Sequence, residues 1–178
     1  MPDVYRRDTD LAHLHPVFRE KVETMLSQFE AEGLPFRPFE CFRSPHRQDW
    51  LYQQGRTRPG SVVTKAHAWE SYHQYGLAID FVLFENGKWS WDTAGEKMAW
   101  WRRMQELGRA QGLEPVSFEM PHLQLAGVTL AQLREGEVPP DGDETWSDCL
   151  ESAAAAWAAQ PASPPFQLPT SRPPIIEA

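Results

Sequence analysis

The chain has 178 residues, a formal net charge of −8 and a hydrophobic fraction of 41%. This length suggests one domain with a buried core and an appendage, and no stretch is apolar for long enough to span a membrane. The acidic balance argues against nucleic acid as a partner, because phosphate binding relies on clustered basic side chains. The two distant cysteines, Cys41 and Cys149, form neither a disulfide framework nor a zinc-ribbon pattern.

The polar N-terminal segment, residues 1–12, lacks the apolar core of a signal peptide. We therefore expect a protein that is cytoplasmic as synthesised and that meets any substrate outside the cell only after release. The charge is uneven, since residues 36–65 carry six Lys/Arg against two acids. This basic segment can attract a substrate that bears a carboxylate, or it can simply be a solvated face.

The first half of the chain predicts two helices around an extended segment. Residues 16–32 have apolar side chains at helical spacing, with a proline in the first turn and a glycine after the end. Residues 35–43 contain prolines and aromatic residues, which place them at a sheet edge or leading into a sheet. Ser44 predicts the N-cap of a helix that runs to Gly55, and residues 56–70 are expected to form a loop.

The second half predicts a hairpin followed by a long helix. Residues 77–83 alternate as a strand, and Asn86-Gly87 is a hairpin turn signal that pairs residues 88–91 back against it. Residues 95–111 predict an amphipathic helix. Two short strands are expected at residues 116–118 and 122–125, broken at Met120-Pro121. A brief closing helix is expected at residues 129–135.

The composition changes after residue 138, because eight of the sixteen prolines fall in residues 139–178. We therefore divide the chain into a domain of residues 1–138 and an acidic, Pro/Ala-rich C-terminal tail of residues 139–178. One helix is predicted at 144–159, with a face formed by Trp146, Leu150, Ala153 and Trp157. Three outcomes stay open for this helix: docking on the domain, binding a partner, or a solvated appendage. The residues from Ala159 have linker-like composition.

His73, Asp80 and His122 predict a metal site. Asp80 lies within an apolar strand, where a carboxylate is costly to bury unless it is paired or bound to a cation. His73 precedes that strand, and Gly76 between them allows a sharp turn. His122 alternates with leucines that face the core. Two histidines and one carboxylate, with a fourth position open, match a catalytic site for Zn²⁺.

Glu119 lies three residues before His122. In a regular strand this odd spacing puts the two side chains on opposite faces, but a bend at Met120-Pro121 would turn Glu119 toward the metal. A glutamate in that place can take a proton from water and pass it to a leaving amine.

The residues alone leave a second interpretation open. Asp80 can be salt-bridged by Arg43 or Arg47, and His73 can be structural. The chain would then be a non-catalytic interaction protein, whose stability would not respond to metal chelators.

The residues singled out above form two motifs with a preceding run: Ser71-x-His73-x6-Asp80, Glu119-x-x-His122 and residues 42–60. Together they resemble the M15 metallopeptidases, the group of D-Ala-D-Ala carboxypeptidases and L-alanyl-D-glutamate endopeptidases, and particularly its compact endolysin-like branch. The resemblance covers residues 10–127. It implies an α+β fold in which a small antiparallel sheet carries the zinc site and helices flank the sheet (D-Ala-D-Ala peptidase/hedgehog-like fold).

The resemblance also implies roles for individual residues. His73, Asp80 and His122 would hold the zinc, and Glu119 would be the catalytic base. The same resemblance places Arg43 in the cleft, where it would hold a substrate carboxylate or the oxyanion. A further polar residue, Ser71, would lie beside the ligands and orient one of them or the substrate.

The implied activity is zinc-dependent hydrolysis of the L-Ala-D-Glu bond in the peptidoglycan stem peptide, an endolysin-like degradation of the cell wall after release. A D-Ala-D-Ala carboxypeptidase is the alternative within the family. A non-catalytic zinc-binding module of the same fold is a more remote alternative, against which Glu119 argues. The expected partner is the stem peptide, with no nucleic acid and no membrane insertion. The sequence does not fix the oligomeric state, although a monomer is favoured.

Overall fold

The computed structural model describes residues 3–158, so the linker-like segment from residue 159 lies outside the described residues. The helices are α1 (Pro16–Glu32), α2 (Pro45–Gln53), α3 (Lys97–Ala110), α4 (Leu130–Arg134) and α5 (Glu144–Ala158). The strands are β1 (Phe36–Glu40), β2 (Ala78–Glu85), β3 (Lys88–Ser90), β4 (Leu113–Val116) and β5 (Glu119–Leu125). Two single turns of 3₁₀ helix, Leu11–His13 and Tyr72–Tyr75, precede α1 and β2.

The five strands form one antiparallel sheet with the order β1-β2-β5-β4, and β3 pairs with the C-terminal half of β2. Proline cannot donate a ladder hydrogen bond, which confines it to edges and bulges. Pro38 in β1 and Pro115 in β4 obey this rule, because both strands lie at the ends of the order. The predicted α+β fold, a small antiparallel sheet flanked by helices, is confirmed.

Aromatic side chains join helices α1 and α3 to the sheet. The ring of Phe29 in α1 lies 5.0 Å from that of Phe81, and the ring of Phe36 lies 4.9 Å from that of Trp101 in α3. These four side chains are almost fully buried, and each contributes about 1.5–3 kcal/mol through its burial. The sheet therefore has one face covered by helices, and this core holds the central strand β2 in place.

Local signals set the ends of several elements as predicted. The Ser44 hydroxyl oxygen accepts a hydrogen bond from the backbone N–H of Arg47 at 3.2 Å, which is the expected N-cap of α2. Asn86 and Gly87 both have positive φ, at 51° and 76°, as a two-residue hairpin turn requires. Because these signals depend only on neighbours in sequence, they can be recognised without tertiary information.

The predicted strands at 116–118 and 122–125 had the wrong bounds. Strand β4 ends at Val116, and the following two residues form the hairpin turn. Strand β5 begins at Glu119 and passes through Pro121 without a break. Pro121 is tolerated because the register shifts there: Pro115 pairs with Leu123, whereas Val116 pairs with Glu119. The predicted bend at Met120-Pro121 is therefore a bulge within one strand.

Helix α5 docks on the domain through the predicted apolar face. Trp146 and Leu150 are 0% and 3% exposed, and Trp157 packs edge-on against His46 with ring centroids 5.2 Å apart. The solvated-appendage outcome for this helix is therefore wrong. The division of the chain at residue 138 stays a prediction. No helix among residues 3–158 has the length and apolar character needed to cross a membrane.

Candidate metal centre

The side chains of Glu40, Asp80 and His122 lie in one row across the sheet. Asp80 on the central strand pairs with Glu40 on one side and with His122 on the other. Side chains of directly paired residues emerge on the same face with Cβ atoms about 4.5–5.5 Å apart. The antiparallel register therefore brings Asp80 and His122 together, although 42 positions separate them in sequence.

His73 approaches this row from the 3₁₀ turn that precedes β2. Ser71 caps the turn, since its hydroxyl oxygen accepts from the backbone N–H of His73 at 3.4 Å, while the amide oxygen of Gln74 accepts from the backbone N–H of Ser71 at 3.1 Å. Gly76 ends the turn with φ at +68°. The motif from Ser71 to Asp80 thus folds as a capped turn that leads directly into the strand.

The histidine and aspartate atoms that face one another have the spacing of ligands to one ion. His73 Nε2 lies 3.4 Å from Asp80 Oδ1, and His122 Nδ1 lies 3.2 Å from the same oxygen. All three ligand atoms lie within 4.8 Å of one another. Tetrahedral zinc, with bonds of about 2.0–2.1 Å, separates its ligand atoms by about 3.3 Å. The donor set therefore fits Zn²⁺.

Hydrogen bonds on the outer side of each ring point a lone pair inward. His73 Nδ1 donates to the carbonyl oxygen of Cys41 at 2.6 Å, so Nε2 carries the lone pair. That Nε2 atom is buried and makes no hydrogen bond within residues 3–158. His122 Nε2 donates to Gln124 Oε1 at 3.1 Å, which leaves Nδ1 toward the cluster. Such outer partners fix the ring orientation of metal-binding histidines.

The charges in the cluster favour a bound cation. Burial raises the pKa of Asp80, but His73, the hydrogen bond to His122 and the Arg43 charge outweigh it and hold the pKa well below 3.8. Burial lowers the pKa of His73, which keeps that imidazole neutral, as metal ligation requires. For His122, burial is outweighed by Asp80 and Glu119, so its pKa is raised. The carboxylates of Asp80 and Glu119 therefore stabilise positive charge at the His122 ring.

Glu119 lies next to the cluster rather than inside it. Its Oε2 atom is 3.8 Å from His122 Nδ1, and its side chain is 33% exposed. The bulge in β5 produces this approach, because a regular strand would place Glu119 and His122 on opposite faces. Burial raises the pKa of Glu119, and the charge of Asp80 adds to the effect while His122 and Arg43 oppose it. A raised pKa suits a group that takes up and then returns a proton.

Arg43 is held by protein side chains on both terminal nitrogens. Nη1 donates to Gln48 Oε1 at 3.1 Å, and Nη2 donates to Glu40 Oε2 at 2.9 Å and to Asp80 Oδ2 at 3.2 Å. The residue is only 9% exposed. Arg43 therefore lies beside the cluster as the resemblance implied, but its guanidinium is directed at Asp80 and its neighbours.

The salt bridge that the residues alone left open is formed by one of the two arginines. Arg43 pairs with Asp80, whereas Arg47 pairs with Glu40 and donates to the carbonyl oxygen of Val4 at 2.7 Å. Only one oxygen of Asp80 contacts Arg43, and the other faces both histidines. The ion pair and the His–Asp–His cluster therefore coexist.

Sequence reasoning missed three polar residues that support the site, two of them buried. Glu40 is 2% exposed and balances two arginines. Gln48 is fully buried and links Arg43 to the loop before the 3₁₀ turn. Gln124 fixes His122. A signal existed for Glu40, which lies in an apolar run three residues before one arginine and seven before the other, because a buried carboxylate requires a partner.

The cluster opens into a cleft between the loop before the 3₁₀ turn and the β4–β5 hairpin. Four of the predicted site residues line the cleft: Arg43, Ser71, Glu119 and His122. The other residues on its wall are Thr64, Lys65, Ala66, Glu70, Tyr72, Val116, Phe118, Gln124 and Leu130. The side walls thus come from segments whose side chains can contact a substrate above the cluster.

A second group of potential metal ligands lies elsewhere, where Asp8, His13 and Cys149 have ligand atoms within 4.8 Å of one another. Its donors are less buried, and His13 Nδ1 already forms a 2.6 Å hydrogen bond with Asp8 Oδ2. The His73–Asp80–His122 cluster combines burial and an unpartnered His73 nitrogen with one member, His122, that lines the cleft. It is therefore the better candidate for a catalytic metal.

Comparison with solved structures places the fold in a known class. The structure of the LdcB LD-carboxypeptidase, described as revealing the molecular basis of peptidoglycan recognition, aligns with a TM-score of 0.51 and 23% identity. The match covers 74% of this chain and 69% of that one. At this identity the likeness shows the fold alone, an α+β domain.

The family model of VanY, D-alanyl-D-alanine carboxypeptidase, matches residues 11–130. The chain therefore belongs to this family of M15 peptidases, as the motifs predicted. It is also 37% identical over 106 residues to the peptidoglycan L-alanyl-D-glutamate endopeptidase CwlK of Bacillus subtilis (strain 168). That match spans 57% of this chain and 64% of CwlK.

Proposed function

We propose that this protein is a zinc-dependent peptidase that hydrolyses the L-Ala-D-Glu bond of the peptidoglycan stem peptide. One observation carries the proposal: the buried, unpartnered His73 Nε2 lies 3.4 Å from Asp80 Oδ1, in a cluster completed by His122 and flanked by Glu119. This arrangement supplies three metal ligands and a proton acceptor, and His122 and Glu119 line the cleft. The 37% identity to an endopeptidase supports the choice of bond.

In this proposal His73, Asp80 and His122 hold the metal. When bound, Zn²⁺ would polarise the scissile carbonyl and lower the pKa of the attacking water. Ser71 is a positioning residue, because its hydroxyl caps the turn that carries His73. Arg43 positions Asp80 through the 3.2 Å bond to Oδ2, which leaves Oδ1 directed at the histidines.

Glu119 moves the proton. Its carboxylate accepts the proton of the attacking water as the new C–O bond forms. It then returns that proton to the nitrogen of the leaving amine as the C–N bond breaks, so the group ends in its starting state. A pKa raised by burial makes both transfers feasible near neutral pH. Closure of the cleft by the substrate would exclude bulk water from this exchange.

A second candidate is a D-Ala-D-Ala carboxypeptidase, which the name of the matching family model favours. Both activities use the same ligands and the same proton acceptor, so the cluster does not distinguish them. The difference lies in the cleft above it, which must accept either an internal residue with a continuing chain or a chain end.

The test is to identify the bond that is cut. Purified peptidoglycan is digested with the protein, with and without a zinc chelator, and the muropeptides are analysed by mass spectrometry. We expect new N-terminal D-Glu and loss of stem peptides from L-Ala, both abolished by chelation and restored by added Zn²⁺. Loss of a single terminal D-Ala would instead establish the carboxypeptidase. Cleavage that persists after complete removal of metal would refute both candidates.

A further inference from the structure

Lys65 is a free cation on the wall of the cleft. It is exposed and lines the cleft, and it makes no ion pair with any acidic side chain among residues 3–158. Arg43, the other cation on the wall, is 9% exposed and has its charge balanced by Glu40 and Asp80. An incoming anion would therefore find an available partner in Lys65 and not in Arg43.

The position of Lys65 is fixed by the residues on either side of it. Gln48 Nε2 donates to the Thr64 hydroxyl oxygen at 3.2 Å and to the Ala66 carbonyl oxygen at 2.8 Å. The same Gln48 accepts a hydrogen bond from Arg43. One buried glutamine thus joins the segment that carries Lys65 to the arginine that holds Asp80.

The ring of Phe118 faces the Lys65 ammonium from the opposite wall. The Nζ atom lies 5.3 Å from the ring centroid, within the range of a cation–π contact. Phe118 is 65% exposed at the tip of the β4–β5 hairpin. This contact holds the Lys65 ammonium in the cleft, near the Phe118 ring. The ammonium stays available to an anion, because an aromatic face does not neutralise its charge.

We propose that Lys65 and Phe118 form a carboxylate-binding subsite, in which Lys65 selects substrates that carry a free carboxylate on the residue following the scissile bond. The inference rests on the proposed function. For cleavage of L-Ala-D-Glu that group is the free α-carboxylate of D-Glu, and for removal of a terminal residue it is the C-terminal carboxylate. The chemistry that Lys65 recognises is the same in both cases.

The test uses two pairs of synthetic stem peptides. In one pair the α-carboxylate of D-Glu is free or amidated, and in the other the C-terminal carboxylate is free or amidated. The variant is Lys65→Gln, with Lys65→Arg as charge rescue and Lys88→Gln as matched control, because Lys88 is also exposed but lies on β3. Each enzyme is assayed for kcat and KM with both peptides of each pair, at low and high salt.

We expect Lys65→Gln to raise KM for the carboxylate peptide about twofold to fivefold, the effect of a solvent-accessible charge pair, and to leave kcat within twofold. The KM of the amidated peptide should be equal in both proteins. In the wild type, but not in Lys65→Gln, KM for the carboxylate peptide should rise with salt. Lys65→Arg and Lys88→Gln should behave like the wild type.

In one of the two peptide pairs, Lys65→Gln should abolish the preference for the carboxylate peptide over its amide. That peptide pair identifies which carboxylate Lys65 binds. Equal preference in wild type and Lys65→Gln for both pairs would overturn the subsite while leaving the proposed function intact. If the wild type cuts neither the four peptides nor whole peptidoglycan, the proposed function itself fails.

Discussion

The indole N–H of Trp146 donates a hydrogen bond of 2.9 Å to the carbonyl oxygen of Tyr75. Tyr75 belongs to the 3₁₀ turn that carries His73, so this bond ties helix α5 to the segment that positions a predicted zinc ligand. The Trp146 ring also packs edge-on against His15, with centroids 4.5 Å apart. A helix outside the predicted domain of residues 1–138 thus supports the candidate site from behind.

Substitution of Trp146 should destabilise the fold. Trp146→Phe keeps most of the packing but leaves the buried Tyr75 carbonyl without its donor, and we expect a loss of about 1–3 kcal/mol in the free energy of unfolding. Trp146→Ala also opens a cavity and should lose about 3–5 kcal/mol. Urea denaturation followed by circular dichroism measures both. Trp91→Ala, at a side chain that is 52% exposed, is the control and should cost less than about 1 kcal/mol.

A chain that ends at residue 140 should lose at least as much stability as Trp146→Ala, because it lacks α5 entirely. Such a chain tests the division at residue 138. If it unfolds at the same urea concentration as the full chain, residues 1–138 are an independent domain and α5 adds nothing to it.

Only glycine fits at position 76, because of both its backbone φ angle and the atoms that surround it. Its φ of +68° is left-handed, and a Cβ atom there would lie 2.9 Å from the His13 carbonyl oxygen and from the Trp146 indole. Gly76→Ala should therefore lower the free energy of unfolding by more than the roughly 1 kcal/mol of a strained φ alone. Gly87→Ala is the control: its φ is +76°, but no atom lies within 4 Å of the added Cβ. Equal losses in thermal unfolding would contradict the steric argument.

Features that depend on neighbouring residues could be predicted from the sequence alone. The N-cap at Ser44 and the turn at Asn86-Gly87 depend on neighbouring residues and were predicted correctly. The family was predicted because motif residues have fixed spacing. The convergence of His73, Asp80 and His122 was also anticipated, and their atoms meet within 4.8 Å, although zinc binding by them stays a prediction.

What could not be predicted depends on pairing across the sheet. The bounds of β4 and β5 follow from a register shift that places Val116 opposite Glu119, and no residue between them signals it. The burial of α5 depends on a surface formed by three separate segments. The hydrogen bond from Arg43 to Gln48 was likewise not predicted, whereas Glu40 carried a signal in its place three residues before Arg43.

Glu119→Gln should separate catalysis from metal binding. Glutamine has nearly the same shape but cannot accept a proton, so we expect kcat to fall about 10²- to 10⁴-fold with little change in KM. Zinc content, measured by mass spectrometry of the purified protein, should stay at the wild-type level, because Glu119 is not a predicted ligand. His122→Ala is the matched control and should lose both zinc and activity. Near-normal kcat in Glu119→Gln would assign the proton transfer to another group.

The pH dependence of stability should contain a contribution from His15. This residue is fully buried, its Nδ1 accepts from the Val17 N–H at 3.2 Å, and its Nε2 donates to the Pro139 carbonyl at 3.0 Å. Burial lowers its pKa below 6.5 against the opposing effect of Pro139. Protonation would also remove the Nδ1 lone pair that caps α1. The folded protein therefore favours the neutral ring.

The sign of the effect follows from linkage. Because the folded pKa of His15 is below its unfolded value of 6.5, the unfolded chain binds the proton more readily, and stability decreases as pH falls. The contribution is complete above pH 6.5 and is lost as pH falls through that value toward the folded pKa. The slope from one group is at most about 1.4 kcal/mol per pH unit.

His15→Gln should remove this part of the slope, because glutamine offers a neutral acceptor and donor that do not titrate. Urea unfolding of both proteins between pH 5 and pH 8 (a range of about 1.5 units on either side of the free histidine pKa) gives the difference directly. Taking the difference cancels histidines common to both chains, including His46, whose pKa burial also lowers. A difference that is constant across the range would show that His15 does not titrate with unfolding. A wild type that gains stability relative to His15→Gln as pH falls would reverse the argument, since it would mean that the folded protein stabilises the charged ring.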